Sequence, residues 1–223
     1  RKNDVSFINA DLGWVVSGAG EVHRTTNGGT DWEVMLSSDS TFFRSVVFAN
    51  KDLGFIGNLG PDEYGGPTIT DPTLIYRTTN GGTDWTPISN IAGETGRGVC
   101  GMFALDSLNI YGAGRVRGPA FFIKTTDGGD SWISKNMSSF AAGLVDVHFF
   151  SQDSGIAVGL SNSNHSQSTG VILFTSDGGE NWTEKYSSSR EGEWCWKIAF
   201  PSRGTGYISL QRNVGSPVNF IKT

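Results

Sequence analysis

An eight-residue sequence typical of a turn occurs four times in this chain, and this repeat limits the possible folds more than any other feature. The copies are residues 25–32 (TTNGGTDW), 78–85 (TTNGGTDW), 125–132 (TTDGGDSW) and 175–182 (TSDGGENW). Their final tryptophans are separated by 53, 47 and 50 residues. A nearly fixed period of this length indicates a supersecondary unit that packs against copies of itself.

A second pattern precedes each copy and divides the unit into strands. Residues 7–14 (FINADLGW) and 48–55 (FANKDLGF) read as strand, polar turn and strand, with weaker copies at 103–110, 150–157 and 200–207. In the first unit we predict strands at residues 5–8, 13–17, 21–26 and 32–36. Four short strands per unit predict an all-β fold: a β-propeller of four-stranded blades that forms one domain over residues 1–223. A two-layer sandwich would not repeat its turns at this period.

The chemistry of the repeated turn gives its residues a structural role. The Asn or Asp side chain accepts hydrogen bonds from later backbone N–H groups, the paired glycines allow positive φ, and the Thr hydroxyl adds another bond. The tryptophan is expected to bury its ring between neighbouring sheets. The residues assigned to these positions are Thr25, Asn27, Gly29, Trp32, Thr78, Asn80, Gly82, Trp85, Thr125, Asp127, Gly129, Trp132, Thr175, Asp177, Gly179 and Trp182.

Composition disfavours several other classes of protein. Charged residues make up 17% of the chain and there are 31 glycines, which argues against a helical bundle. The net charge is −5 and the basic residues form no run, so we predict no nucleic-acid partner. His23, His148 and His165 lie in different units without metal-ligand spacing, and no dinucleotide fingerprint is present. We therefore predict no metal and no cofactor.

The start of the chain bears on the compartment, which the two cysteines do not settle. Cys100 and Cys195 fall two units apart, and blades that are not adjacent rarely bring cysteines within bonding distance, so we predict two free, buried thiols. No segment reaches the ~18 apolar residues of a membrane helix. The chain begins at Arg1 without a leader. We expect an exported protein, periplasmic, lumenal or extracellular, whose leader has been removed.

The repeated pattern S/T-x-D/N-x-G-x-x-W resembles the Asp-box, or BNR repeat, of sialidases, sortilin-type receptors and several glycosidases. Asn27 and Asn80 replace the Asp but keep an acceptor. Combined with the F…GW-x-V element, the whole chain is most similar to the photosystem II assembly/stability factor family, which has many bacterial members unconnected with photosynthesis. The resemblance implies a ring of about seven blades. It also implies a basic patch that holds a partner polypeptide.

The last residues bear on the number of blades. Residues 220–223 (FIKT) match residues 122–125, so Thr223 corresponds to the first residue of a fifth turn. Four complete blades and most of a fifth are visible in the sequence. Because open sheet edges are avoided, we expect a domain that is incomplete at its C-terminus and belongs to a larger ring. A closed ring of five blades is the alternative.

One face of the propeller carries all the variation in loop length. Loops between second and third strands are long at residues 58–73, 160–170 and 211–217, and variable loops on a rigid scaffold commonly bind partners. Arg44 and Arg97 are expected to enter their first strands at similar places. The predicted partner-binding residues are Arg44, Arg97, Arg115, Arg117, Arg190, Tyr64 and Trp194. The alternative is that each arginine is solvated or pairs with a nearby carboxylate.

These observations lead us to expect a non-enzymatic scaffold that binds a protein partner, as an accessory or assembly subunit of a larger complex. The complexes that we consider include membrane and photosynthetic complexes, and in such a case the protein would associate with the membrane peripherally, through the complex. The alternatives are a carbohydrate-active protein, sialidase-like or another glycoside hydrolase, and an extracellular adhesion or receptor module. Asp62, Glu63 and Tyr64 carry the enzymatic alternative, because glycosidases need two carboxyl groups across the scissile bond. The same loop reads equally as a solvated segment.

Overall fold

Five sheets follow one another along the chain, each built mainly from the antiparallel strands of one repeat. The computed structural model describes residues 2–61, 66–94, 96–212 and 219–222. Sheet 1 contains β1 (Lys2–Phe7), β2 (Gly13–Ser17), β3 (Glu21–Thr25) and β4 (Glu33–Ser37). Sheet 2 contains β5 (Phe43–Phe48), β6 (Gly54–Asn58), β7 (Ile75–Thr78) and β8 (Thr86–Pro87), with a short 3₁₀ turn at Gly66–Thr68.

The remaining sheets repeat this order with two differences. Sheet 3 contains β10 (Gly101–Ala104), β11 (Ile110–Gly114), β12 (Phe121–Thr125) and β13 (Trp132–Asn136), and the preceding strand β9 (Ile91–Gly93) pairs parallel to β13 at its edge. Sheet 4 contains β14 (Gly143–Phe149), β15 (Gly155–Leu160), β16 (Gly170–Thr175) and β17 (Thr183–Ser187). Sheet 5 contains β18 (Glu193–Ser202), β19 (Thr205–Arg212) and β20 (Asn219–Lys222).

The predicted order of strands in the first unit is confirmed, but β1 begins at Lys2 rather than at residue 5. Polar residues extend the strand because they bind the neighbouring sheet. The Asn3 side chain donates to the carbonyl oxygen of Phe43 at 2.8 Å. The Asp4 carboxylate accepts the backbone N–H of Val46 at 3.1 Å. Sequence periodicity detects apolar alternation and misses this kind of strand residue.

Aromatic residues on second strands join the first four sheets to one another. Trp14 donates its indole N–H to the carbonyl oxygen of Gly81 in sheet 2, at 3.0 Å. Phe55 of sheet 2 packs edge-on against Trp132 of sheet 3, and Tyr111 of sheet 3 stacks on Phe149 of sheet 4. Each of these rings is buried. Burial of one such side chain stabilises the fold by about 1.5–3 kcal/mol.

The first strands of the sheets surround a central axis. Strand register places five residues at equivalent positions along them: Asp4, Ser45, Gly101, Asp146 and Lys197. The Lys197 ammonium lies 3.3 Å from the Asp146 carboxylate in sheet 4 and 3.4 Å from the Asp4 carboxylate in sheet 1. Because one side chain of sheet 5 reaches both the preceding and the first sheet, the sheets are arranged radially. The fold is a five-bladed β-propeller.

The rim between sheets 5 and 1 is not packed like the other boundaries. Trp32 of sheet 1 is 38% exposed, whereas the equivalent Trp132 of sheet 3 is 1% exposed. On the far side of sheet 5, Tyr207 and Phe220 are also exposed. Trp32 therefore differs from the expectation of a ring buried between sheets, because no sheet in the described part of the chain covers it.

Candidate functional site

The repeated turn is held by the same hydrogen bonds in all four copies. In the first copy, the Thr25 hydroxyl accepts the N–H of Gly29 at 2.9 Å and donates to the Asn27 side chain at 3.0 Å. The Asn27 side-chain oxygen accepts the N–H of Asp31 at 2.9 Å. The paired glycines have positive φ in every copy. The turn residues therefore bind one another within each copy.

The opposite face, which we call the variable face, carries the described parts of the long loops between β6 and β7 and between β15 and β16. At its centre lies an apolar cluster to which four sheets or their adjoining loops contribute. We call it the central cluster. It contains buried Leu59, Cys100, Val116, Val145, Leu160 and Trp194, with partly buried Phe42 and Trp196.

Two of the predicted arginines are buried beside this cluster. The Arg44 guanidinium lies 5.0 Å from the centre of the Trp196 ring, and it donates to the carbonyl oxygen of Asn3 at 3.3 Å. Arg115 donates to the carbonyl oxygens of Gly118 and Pro61, at 2.9 and 3.2 Å. These arginines bind the chain itself, so they position the variable face.

Arg97, Arg117 and Arg190 are exposed. The expected equivalence of Arg44 and Arg97 is wrong. Strand register makes Cys100 the residue of sheet 3 that is equivalent to Arg44 of sheet 2, whereas Arg97 lies in the loop before β10. The backbone carbonyl of Arg97 lies close to Gly60, beside the cluster residue Leu59. Arg117 follows the cluster residue Val116 and acts electrostatically on His165. Two exposed cations therefore flank the central cluster.

The predicted aromatic contact residues fall in different environments. Trp194 is buried in the central cluster, and the His165 ring lies 4.6 Å from its ring. Tyr64 lies outside the described residues, as do Asp62 and Glu63. The partly exposed aromatic residues of the cluster are Phe42 and Trp196 instead. Sequence reasoning missed Phe42 because it lies in a connection, outside the repeated patterns.

Below the cluster, the axis carries an ion cluster that the sequence analysis did not identify. Burial raises the pKa of Asp146, even though Lys197 and the N–H of Ile198 favour its charged form. Burial disfavours the charged form of Lys197, but Asp146 and Asp4 outweigh this effect and raise its pKa. The arrangement holds two carboxylates and one ammonium together. The sequence feature that could have revealed this ion cluster is the occurrence of Asp, Asp and Lys at equivalent positions of three repeats.

Other predicted features are placed as follows. Cys100 and Cys195 are buried and form no disulfide, as predicted. Within the described ranges, no group of three or more His, Cys, Asp or Glu side chains is arranged to hold a metal ion. Among those same residues no helix is long and apolar enough to cross a membrane.

Comparison with known proteins supports the fold. No family model matches the sequence, and no curated protein matches it significantly. YCF48 from Cyanidioschyzon merolae aligns with a TM-score of 0.63 and 18% identity, over 99% of this chain and 71% of that one. A GH74 enzyme from Niastella koreensis aligns with a TM-score of 0.67 and 14% identity, over 93% of this chain and 33% of that one.

A further structure, YCF48 bound to a D1 peptide, aligns with a TM-score of 0.47 and 18% identity, over 95% of this chain and 90% of that one. That similarity is too low to carry an inference. The better alignments and the five radial sheets define the class of this protein as a β-propeller. At these identities the similarity shows the fold and does not assign an activity.

Proposed function

We propose that this chain is a non-enzymatic propeller scaffold that binds a protein partner through its variable face. The observation that carries the proposal is the central cluster with its partly exposed Phe42 and Trp196, together with the exposed cations Arg97 and Arg117 in the loops before β10 and after β11. An aromatic centre with arginines at its edge is the composition that dominates the energetics of protein interfaces. Arg190 extends the positive charge along the loop before β18.

The finer assignments belong to the same proposal. The repeated turn is an Asp-box, and the chain is a relative of the photosystem II assembly/stability factors that acts as an accessory or assembly subunit after export. The exposure of Trp32, Tyr207 and Phe220 favours a larger ring of about seven blades in which these side chains are covered, whereas the contacts of Lys197 with Asp4 and Asp146 favour a ring of five.

The test is a capture experiment with matched charge variants. Arg97, Arg117 and Arg190 are changed together to Glu, and the control carries Glu at Lys51 and Lys185, which are exposed. We expect one polypeptide from extracts of the source cells to be retained by the native chain and the control, and to bind the triple variant at least ~10-fold more weakly. Arg44 is left unchanged, because it is buried against Trp196.

Equal retention by the triple variant would remove the arginines from the proposal. The enzymatic alternative is tested in parallel with a panel of chromogenic glycosides and a glycan array. Turnover that is lost in Glu63→Gln would replace the scaffold proposal with a glycoside hydrolase, since Glu63 is the carboxyl group on which that alternative depends.

A further inference from the structure

A second candidate site lies on the face of the repeated turns, opposite the variable face. A cleft of about 200 Å³ opens there between sheets 4 and 5. We call it the aromatic cleft. It is lined by the ends of β14 and β18 and by the turn that joins β18 to β19, with residues His148, Phe149, Phe150, Phe200, Ser202 and Arg203.

Three phenyl rings surround the imidazole of His148, and two of them, Phe150 and Phe200, also line this cleft. The centre of the His148 ring lies 4.3 Å from that of Phe103, 5.0 Å from that of Phe150 and 4.9 Å from that of Phe200. These three phenyl rings are only partly buried. They offer apolar faces and edges that suit another aromatic side chain, which gains from both stacked and edge-on contacts.

The polar groups of the cleft have unused hydrogen-bonding capacity. Burial lowers the pKa of His148 to about 4, so its imidazole is neutral at pH 7 and has one donor and one acceptor nitrogen. Within the described ranges neither nitrogen has a hydrogen-bond partner. Arg203 is exposed at the rim of the cleft, and no carboxylate among the described residues pairs with it.

The size of the cleft limits what it can hold. Sites for drug-sized molecules measure about 300–1,000 Å³, which is larger than this cleft. One side chain fits the smaller volume, and an aromatic anchor in a pocket is the usual source of affinity when a peptide binds a protein. The single unpaired cation at the rim is complementary to a negative charge close to that anchor.

We propose that the aromatic cleft binds a polypeptide segment that presents an aromatic side chain next to a carboxylate. The aromatic ring packs on Phe150 and Phe200, His148 hydrogen-bonds the neighbouring peptide group, and Arg203 pairs with the carboxylate. This site is independent of the variable face, so it stands or falls separately from the proposed function.

The test measures binding of labelled hexapeptides to the full chain by fluorescence anisotropy. The probe is Gly-Ser-Phe-Asp-Ser-Gly, and its controls carry Asn in place of Asp or Ala in place of Phe. We expect the Asn peptide to bind about 5-fold more weakly, as the loss of one exposed ion pair predicts. The Ala peptide should bind at least ~10-fold more weakly, because it lacks the anchor.

Two variants of the chain locate the site. Arg203→Gln, at an exposed turn position, should abolish the preference for Asp over Asn while the fold is retained. Phe200→Leu keeps the apolar volume and should weaken all peptides about 3-fold by removing ring contacts. Lys51→Gln, at an exposed position in the turn that joins β5 to β6 and outside both candidate sites, is the matched control and should bind like the native chain.

Four outcomes would overturn the proposal. They are the absence of measurable binding of the Phe-Asp peptide, a preference for Asp that persists in Arg203→Gln, and a greater loss in Lys51→Gln than in Arg203→Gln. The fourth is that free phenylacetate binds as tightly as the peptide, because the site would then be one for a small aromatic acid.

Discussion

Gly129 shows how tightly one backbone position of the repeated turn is constrained. Its φ is 90°, in the left-handed region that favours glycine. A Cβ added there would also lie 2.5 Å from the Phe55 ring of the preceding sheet. Local conformation and packing between blades therefore require the same residue, although only the first requirement is visible in the sequence.

We expect Gly129→Ala to lower the free energy of unfolding by more than about 2 kcal/mol, because it combines backbone strain with overpacking. Urea denaturation followed by tryptophan fluorescence measures the change. The control is Gly204→Ala, where a Cβ meets no atom within 4 Å. That substitution should change the stability by less than about 0.5 kcal/mol. Equal effects of the two substitutions would contradict the packing argument.

At the scale of the element, the third and seventh positions of the repeated turn are chemically matched. Where the third residue is Asn, its amide donates to a carboxylate at the seventh, as Asn27 does to Asp31 at 2.8 Å. Where the third is Asp, it accepts from a donor at the seventh, as Asp177 does from the Asn181 amide at 2.8 Å. The replacement of Asp by Asn is therefore compensated within the same turn.

A double-mutant cycle tests this matching. Asp177→Asn alone sets two amides against each other, and Asn181→Asp alone sets two carboxylates together, so both should lower the melting temperature. The double substitution should restore most of the loss, because it recreates the arrangement of the first two turns. Simple addition of the two losses would show that the positions do not interact.

The same turn adds a pH dependence. The backbone and side-chain N–H groups of Asn181 lower the pKa of Asp177 to about 2. A carboxyl group whose pKa is lower in the folded state stabilises the protein above its unfolded pKa of about 4. This contribution is lost as the pH falls towards 2. Comparison of acid unfolding in the native chain and in Asp177→Asn isolates it.

At the scale of the whole molecule, Lys197 connects the last sheet to the first. Its ammonium is the cation between Asp4 and Asp146, and Asp146 is buried. Removal of the cation from such a group leaves an uncompensated buried negative charge. The resulting loss of stability is larger than the net stabilisation that the intact ion pair provides. The first strands therefore depend on this side chain for their radial arrangement.

We expect Lys197→Met to reduce the free energy of unfolding by about 1–3 kcal/mol, less than for a fully buried pair because Lys197 keeps some solvent contact.

Burial raises the pKa of Asp146, and loss of Lys197 raises it further, so the folded variant binds protons more tightly than its unfolded chain. Its deficit should therefore shrink as the pH falls from 7. Lys51→Met, at an exposed lysine, is the control for both measurements, and a deficit that grows at low pH would contradict the assignment.

The sequence was sufficient to predict the radial repeat of four-stranded sheets, because the information is local. Glycine pairs, Asx-type acceptors and strand alternation act within a few residues of one another, and the four copies of the turn repeat the same local chemistry. For the same reason, predicted and observed strand limits in the first unit differ by three residues at most.

The candidate sites depend on contacts between residues that are far apart in the chain. The burial of Arg44 and Arg115, the exposure of Phe42 and Trp196, and the cleft around His148 follow from how separate sheets meet at the axis. Periodicity within a unit carries no information about which side chains from different units face each other. Local sequence chemistry determined the blades, and only tertiary packing around the axis decided which charges are neutralised inside and which remain on the surface.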